Sequence, residues 1–166
     1  YHTIIHSCVK NSHFIVIFDF YRDMANLIDW VNINDDSVEI VLRINRLCNQ
    51  KCVFCFTDID NQTSFDYLQI TEAIDKILKQ YSWKDIFITL SWWEPTLHKD
   101  FFMIVDYIYS KWISLQIQTN WVFFSSKENI NKIRAYDTVN YFVSFHSHIE
   151  KRYNILTQSH LYNQSV

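Results

Sequence analysis

DIFITLSWWEPTLHKDFFMIVDYIYSKWISLQIQTNW, residues 85–121, is the stretch that decides the fold. It opens on a strand-length run of apolar and β-branched residues, 85–91. A short turn with Glu94 and Pro95 follows, and then apolar residues at helical spacing over 99–111. Residues 114–119 return to strand character and end at Asn120-Trp121. Strand, helix and strand in such close succession form a βαβ unit, and the helix carries the chain back so that the two strands run parallel. The alternation continues in both directions. VEIVLRI (38–44) reads as an earlier strand, with a helix near 71–81 behind it. A helix near 127–134 and a strand at 140–145 come after. The expected fold class is therefore α/β, a partial (β/α) barrel of parallel strands with helices outside. A full eight-unit barrel takes about 250 residues. At 166 residues the chain is expected to be a fragment, stopping after about four βα units. Residues 1–36 read as a separate β-rich lead-in: a buried-strand run at Phe14–Phe18, a helix-like stretch at Tyr21–Leu27, and the polar turn NINDD. The main domain is expected over 37–166.

The chain has no glycine and six tryptophans. Ordinary usage of about 7% would give about a dozen glycines. The tryptophans stand where glycine is expected. Trp83 and Trp112 each sit between a helical run and a strand, where a left-handed residue usually ends the helix. Trp30 follows Asp29 and Trp121 follows Asn120, so both read as the second half of an Asp-Gly or Asn-Gly turn. Trp92 and Trp93 fill the turn before Glu94-Pro95, where two glycines would let backbone approach a ligand. All six positions make better physical sense as glycine. The expectation is a gene that uses UGA for glycine, translated as though UGA meant tryptophan.

Apolar residues are 49% of the chain and charged residues 20%, a globular balance. The net charge of −3 gives no reason to expect a nucleic-acid partner. No apolar run approaches the roughly 20 residues needed to span a bilayer, and the N-terminal stretch does not read as a signal peptide. Three of the four cysteines are clustered, which points to a metal site in a reducing compartment rather than to disulfides. A cytoplasmic location and no membrane partner are expected.

Cys48, Cys52 and Cys55 follow the first strand of the regular region. Three thiolates in one loop suit three irons of a [4Fe–4S] cluster, leaving the fourth iron open to a ligand. A zinc site completed by a histidine or by Cys8 is the alternative, although structural zinc ligands usually come as two separated pairs. A non-catalytic iron–sulfur module, again with Cys8 as the fourth ligand, is another.

RLCNQKCVFC (46–55) resembles the CxxxCxΦC signature of radical S-adenosylmethionine (SAM) enzymes, with Phe54 as the aromatic residue. With glycine for tryptophan, SWWEPTLH becomes SGGEPTLH, similar to the family's GGE motif, and LQIQTNW becomes LQIQTNG, similar to its third-strand end. The resemblance covers about residues 38–160. It implies that Cys48, Cys52 and Cys55 ligate the cluster and that SAM binds its unique iron. It further implies that Trp92, Trp93 and Glu94 form the turn that binds the SAM amino group, with Glu94 anchoring it, and that Phe54 lies near the adenine. Thr119, Asn120 and Ser144 would face the same mouth and contact the methionine or ribose. The implied activity is reductive cleavage of SAM to a 5′-deoxyadenosyl radical, which takes hydrogen from an unknown substrate. An external electron donor is implied as a partner. Genuine tryptophans at 92 and 93 would obstruct SAM and favour a degenerate, non-catalytic fold.

His146 and His148, one residue apart after the fourth strand, are expected to point the same way. They are the candidates for substrate contact or proton transfer, with a loop-stiffening pair as the alternative. His98 reads as structural, at the start of a helix. Glu150, Lys151 and Arg152 read as a solvated face, and Cys8 as a lone core or surface thiol rather than a ligand.

Overall fold

The computed structural model describes residues 26–55 and 63–166. The expected strand at Phe14–Phe18, Cys8 and nearly all of the Tyr21–Leu27 stretch lie outside the described residues. In chain order the elements are β1 (Ile28–Ile33), β2 (Ser37–Leu42), α1 (Tyr67–Gln80), β3 (Asp85–Leu90), α2 (Phe101–Ser110) and β4 (Ser114–Thr119). They continue with α3 (Lys127–Ile133), β5 (Asn140–Val143), α4 (Glu150–Thr157) and α5 (Tyr162–Ser165). Two 3-10 turns, Pro95–Leu97 and Val122–Ser125, follow β3 and β4.

The strands form one sheet in sequence order, β1 to β5. β2, β3, β4 and β5 are parallel, with Ile40 opposite Ile88 and Ile117 opposite Tyr141. This is the α/β architecture of an open, partial barrel. One strand departs from the all-parallel expectation. β1 runs antiparallel to β2, because only a tight hairpin at Asn34–Ser37 separates them. β1 lies inside the 1–36 segment read as lead-in, and it belongs to the sheet. Trp30 is consequently in a strand, beside the irregularity at Asp29, and not in a turn.

Helix and strand faces match in period. Val38, Ile40 and Leu42 of β2 are buried while Glu39 between them is exposed. Ile70, Ala73, Ile74 and Ile77 recur at i, i+3, i+4 and i+7 on α1, and Phe101, Ile104, Val105 and Ile108 do the same on α2. Both stripes join the strand residues Ile88, Leu90, Leu115 and Ile117 in one core. α1 starts where Gln69 Oε1 accepts the Asp66 N–H at 2.9 Å, the capping-box signature. The opposite face of the sheet leaves Phe87 and Phe142 exposed. Among the described residues, no helix is long and apolar enough to cross a membrane.

Candidate cofactor site

The cysteine loop leaves the carboxyl end of β2, where ligands bind in parallel α/β folds. Asn45, buried, starts it. Its Oδ1 accepts the Leu47 N–H at 2.9 Å, and its Nδ2 donates to the Glu94 carbonyl at 3.1 Å. Glu94 N–H donates in return to the Leu47 carbonyl at 2.8 Å. The loop is also held from behind, since the Lys51 and Val53 N–H groups donate to the Thr157 and Leu156 carbonyls, each at 2.9 Å. These are carbonyls of the last turn of α4, which have no partner within the helix. A tight turn joins Cys55 N–H to the Cys52 carbonyl at 2.9 Å. Burial pushes the Cys48 thiol up to about 11, and burial also raises Cys52. Cys55 is exposed.

The turn after β3 carries Trp92 and Trp93, both left-handed, at φ 68° and 49°. The Trp93 indole N–H is buried without a hydrogen-bond partner. Arg43, paired with Asp29, lies 5.1 Å from each indole ring. Glu94 comes next and is fully buried. Its Oε1 accepts from the hydroxyls of Thr96 at 2.6 Å and Thr119 at 2.7 Å, and its Oε2 from the Asn120 N–H at 2.7 Å. One carboxylate thus fastens the end of β3 to the end of β4. Asn120 carries the tie onward, with Nδ2 donating to Asn49 Oδ1 at 2.6 Å inside the cysteine loop.

These pieces surround an open cleft of about 380 Å³. Cys48, Cys52, Cys55, Phe54, Trp92, Trp93, Thr119, Asn120, Ser144 and His146 all line it. Glu94 lies behind the lining. His148 is exposed and is not part of it. β5 ends at Val143, so the two histidines follow the strand and are not part of it. His146 packs edge-on against Phe54, with ring centroids 4.7 Å apart, and burial lowers its pKa. The hydroxyl of Thr119 and the amide of Asn120 are already engaged within the protein. Gln50, Ser91 and Gln118 also line the cleft and were missed. Gln50 lies inside the cysteine motif, and Ser91 and Gln118 occupy strand ends, which were the available signals. His98 has the structural role expected of it. Its ring lies between the Phe65 carbonyl and the Asp100 N–H, just before α2.

The donor set fits the cluster in kind: three cysteines of one loop line the cleft, and cysteine thiolate is the usual ligand of iron in such clusters.

Residues 42–165 match the radical SAM superfamily. The chain belongs to that superfamily. One relative is the S-adenosylmethionine-dependent nucleotide dehydratase of Selenomonas ruminantium, 35% identical over 82 residues, which are 49% of this chain and 29% of that protein. Among solved structures, Streptococcus suis SuiB bound to its precursor peptide SuiA superposes with a TM-score of 0.60 at 18% identity, covering 94% of this chain and 35% of SuiB. SuiB bound to S-adenosylmethionine gives 0.62, also at 18%, covering 87% and 32%. At that identity the likeness to SuiB is one of fold. The radical SAM chain described here spans about a third of the length of these proteins.

Proposed function

We propose that this radical SAM chain holds a [4Fe–4S] cluster on Cys48, Cys52 and Cys55 and cleaves SAM reductively. The observation that carries the reading is the convergence of three cysteines, the 91–93 turn and the ends of β4 and β5 on one cleft at the carboxyl end of parallel strands. The bound cluster would supply an electron to SAM, and the resulting 5′-deoxyadenosyl radical would take hydrogen from a substrate. The chain's own work is positioning. Glu94 and Asn120 fix the turn and the cysteine loop relative to one another, while Phe54 and His146 form one wall against solvent. An external electron donor completes the scheme.

Trp92, Trp93, Trp112 and Trp121 belong to the same proposal, as glycine positions. Five residues have left-handed backbone among those described, and four of them are these tryptophans. A side chain in that conformation costs about 1–2 kcal/mol, which glycine avoids. Trp30 and Trp83 are not left-handed, so the backbone argument covers four of the six. With glycine at 92 and 93 the cleft would lose two indoles and the orphaned N–H of Trp93.

The test is anaerobic reconstitution of the chain as written and of its Trp92→Gly/Trp93→Gly variant, followed by assay for 5′-deoxyadenosine. The expected result is iron on both and product from the glycine variant alone. Absence of iron on both would overturn the cluster. Tryptophan found at residues 92 and 93 by peptide mass spectrometry of protein from its native cells would overturn the glycine assignment.

A further inference from the structure

Gln50 sits between two proposed cluster ligands, and its side chain is only 4% exposed. Its backbone N–H donates to Cys48 Sγ at 3.4 Å. Its amide has two partners. Nε2 donates to the Tyr153 hydroxyl at 2.6 Å, and Oε1 faces Cys52 Sγ at 3.6 Å. Tyr153 is wholly buried, and its hydroxyl lies 2.5 Å from Ser165 Oγ, which donates to the Leu161 carbonyl at 3.1 Å. A single file of hydrogen bonds thus runs from a cysteine sulfur through α4 to the backbone at the start of α5.

We infer that Gln50 is a positioning residue that donates hydrogen bonds to the cluster-ligating sulfurs and thereby sets the cluster's reduction potential, with Tyr153 and Ser165 holding its amide in register. The inference rests on the cluster proposed above. With a thiol at Cys52, S–H donates to Oε1 and every later group in the file has one donor and one acceptor. A ligating sulfur carries no proton and can only accept. The amide answers by turning over. Nε2 then faces Cys52 Sγ, Oε1 accepts from the Tyr153 hydroxyl, and the Ser165 hydroxyl turns its proton from the Leu161 carbonyl, which keeps the Gln164 N–H, to the Tyr153 oxygen. A primary amide satisfies both arrangements because its two ends are nearly the same shape and opposite in hydrogen-bonding sense. A carboxylate would repel the sulfur, and an apolar side chain would leave the buried phenol with one partner fewer. Two N–H groups from one residue, one on each of two ligating sulfurs, stabilise the more negative, reduced cluster and raise its potential.

The test uses the full chain, reconstituted anaerobically, with iron content measured first and midpoint potential by redox titration second. Gln50→Met keeps the volume and removes the amide. Tyr153→Phe keeps the ring and removes the hydroxyl that orients it. Both variants are expected to retain cluster. The midpoint should move to more negative values in Gln50→Met, and in the same direction by less in Tyr153→Phe. A purely structural Gln50 would alter the melting temperature and leave the potential in place, and that outcome overturns the inference. Should Gln50→Met fail to hold iron, Tyr153→Phe decides alone, and an unmoved potential there overturns it equally. A wild-type chain that takes up no iron removes the cluster reading and this inference together, and the first measurement separates that failure from an unmoved potential.

Discussion

Glu94 Oε2 accepts the backbone N–H of Asn120 at 2.7 Å, so the ends of β3 and β4 are joined by a carboxylate with no exposed surface. Burial pushes its carboxyl above the usual carboxylate range, opposed by the hydrogen bonds donated from Thr96, Asn120 and Thr119. Removing it should be severe. Glu94→Ala strands two hydroxyls and two N–H groups, those of Thr96 and Asn120, in the interior, and each unsatisfied group costs about 1–3 kcal/mol. The expected loss is about 3 kcal/mol or more in urea denaturation at neutral pH. Glu94→Gln, which keeps one acceptor, should lose about half as much.

Much of this frame could be read from the sequence. The strands expected at 38–44, 85–91 and 114–119 appear at Ser37–Leu42, Asp85–Leu90 and Ser114–Thr119, because each alternates buried and exposed positions. β1 escaped notice because Asp29 and Asn32 interrupt its apolar pattern and the strand is irregular at Asp29. α4 escaped because EKRYNILT has little amphipathic character, and its charged start does form the solvated face expected of Glu150, Lys151 and Arg152. Its contribution lies in its last turn, where carbonyls take the amides of the cysteine loop. No one-dimensional pattern announces such a contact. The cysteines and the WWEP turn were legible because their chemistry is local. The Asn49–Asn120 and Gln50–Tyr153 pairs, 71 and 103 residues apart in sequence, were not.

The three cysteines should differ in reactivity when no metal is bound. Burial raises Cys48 from 9.0 to about 11, which lowers its thiolate fraction at pH 8 by about a hundredfold. Cys55 is exposed, and burial raises Cys52 as well. Iodoacetamide at pH 8, followed by peptide mapping, should label Cys55 first and Cys48 last. Because the thiolate reacts, the Cys48 rate should climb about tenfold per pH unit from pH 8 to 10 and level off above about 11. A Cys48 that labels as fast as Cys55 at pH 8 contradicts its burial.

Asn49 should matter more to the cysteine loop than to the fold. Its Oδ1 takes the Asn120 amide at 2.6 Å, a bond that ties the loop to the end of β4. Asn49→Ala should cost about 1 kcal/mol in global stability. Iron retained after reconstitution and desalting should fall several-fold, since the loop presenting Cys48 and Cys52 loses a lateral anchor. Asn49→Asp keeps an acceptor and should retain most of the iron. Equal retention in all three proteins would mean that the contacts to α4 suffice.

Trp112 isolates the backbone question from the cofactor. It follows α2 at φ 59°, its N–H donates to the Tyr109 carbonyl at 3.1 Å, and its side chain is 96% exposed. Truncating that side chain removes no packing, so the substitution reads the backbone almost alone. In ordinary helical or extended backbone, glycine is less stable than alanine by roughly 0.5–1 kcal/mol. At a left-handed position the order reverses, because the alanine Cβ meets the neighbouring carbonyl and glycine has none. Trp112→Gly should therefore exceed Trp112→Ala in stability by about 1 kcal/mol, measured by urea denaturation of the two proteins side by side. The same pair of substitutions at Trp83, which is not left-handed, should give the ordinary order. Alanine equal to or better than glycine at 112 would mean that the chain does not adopt the left-handed turn there, and the glycine assignment would lose one of its four supports.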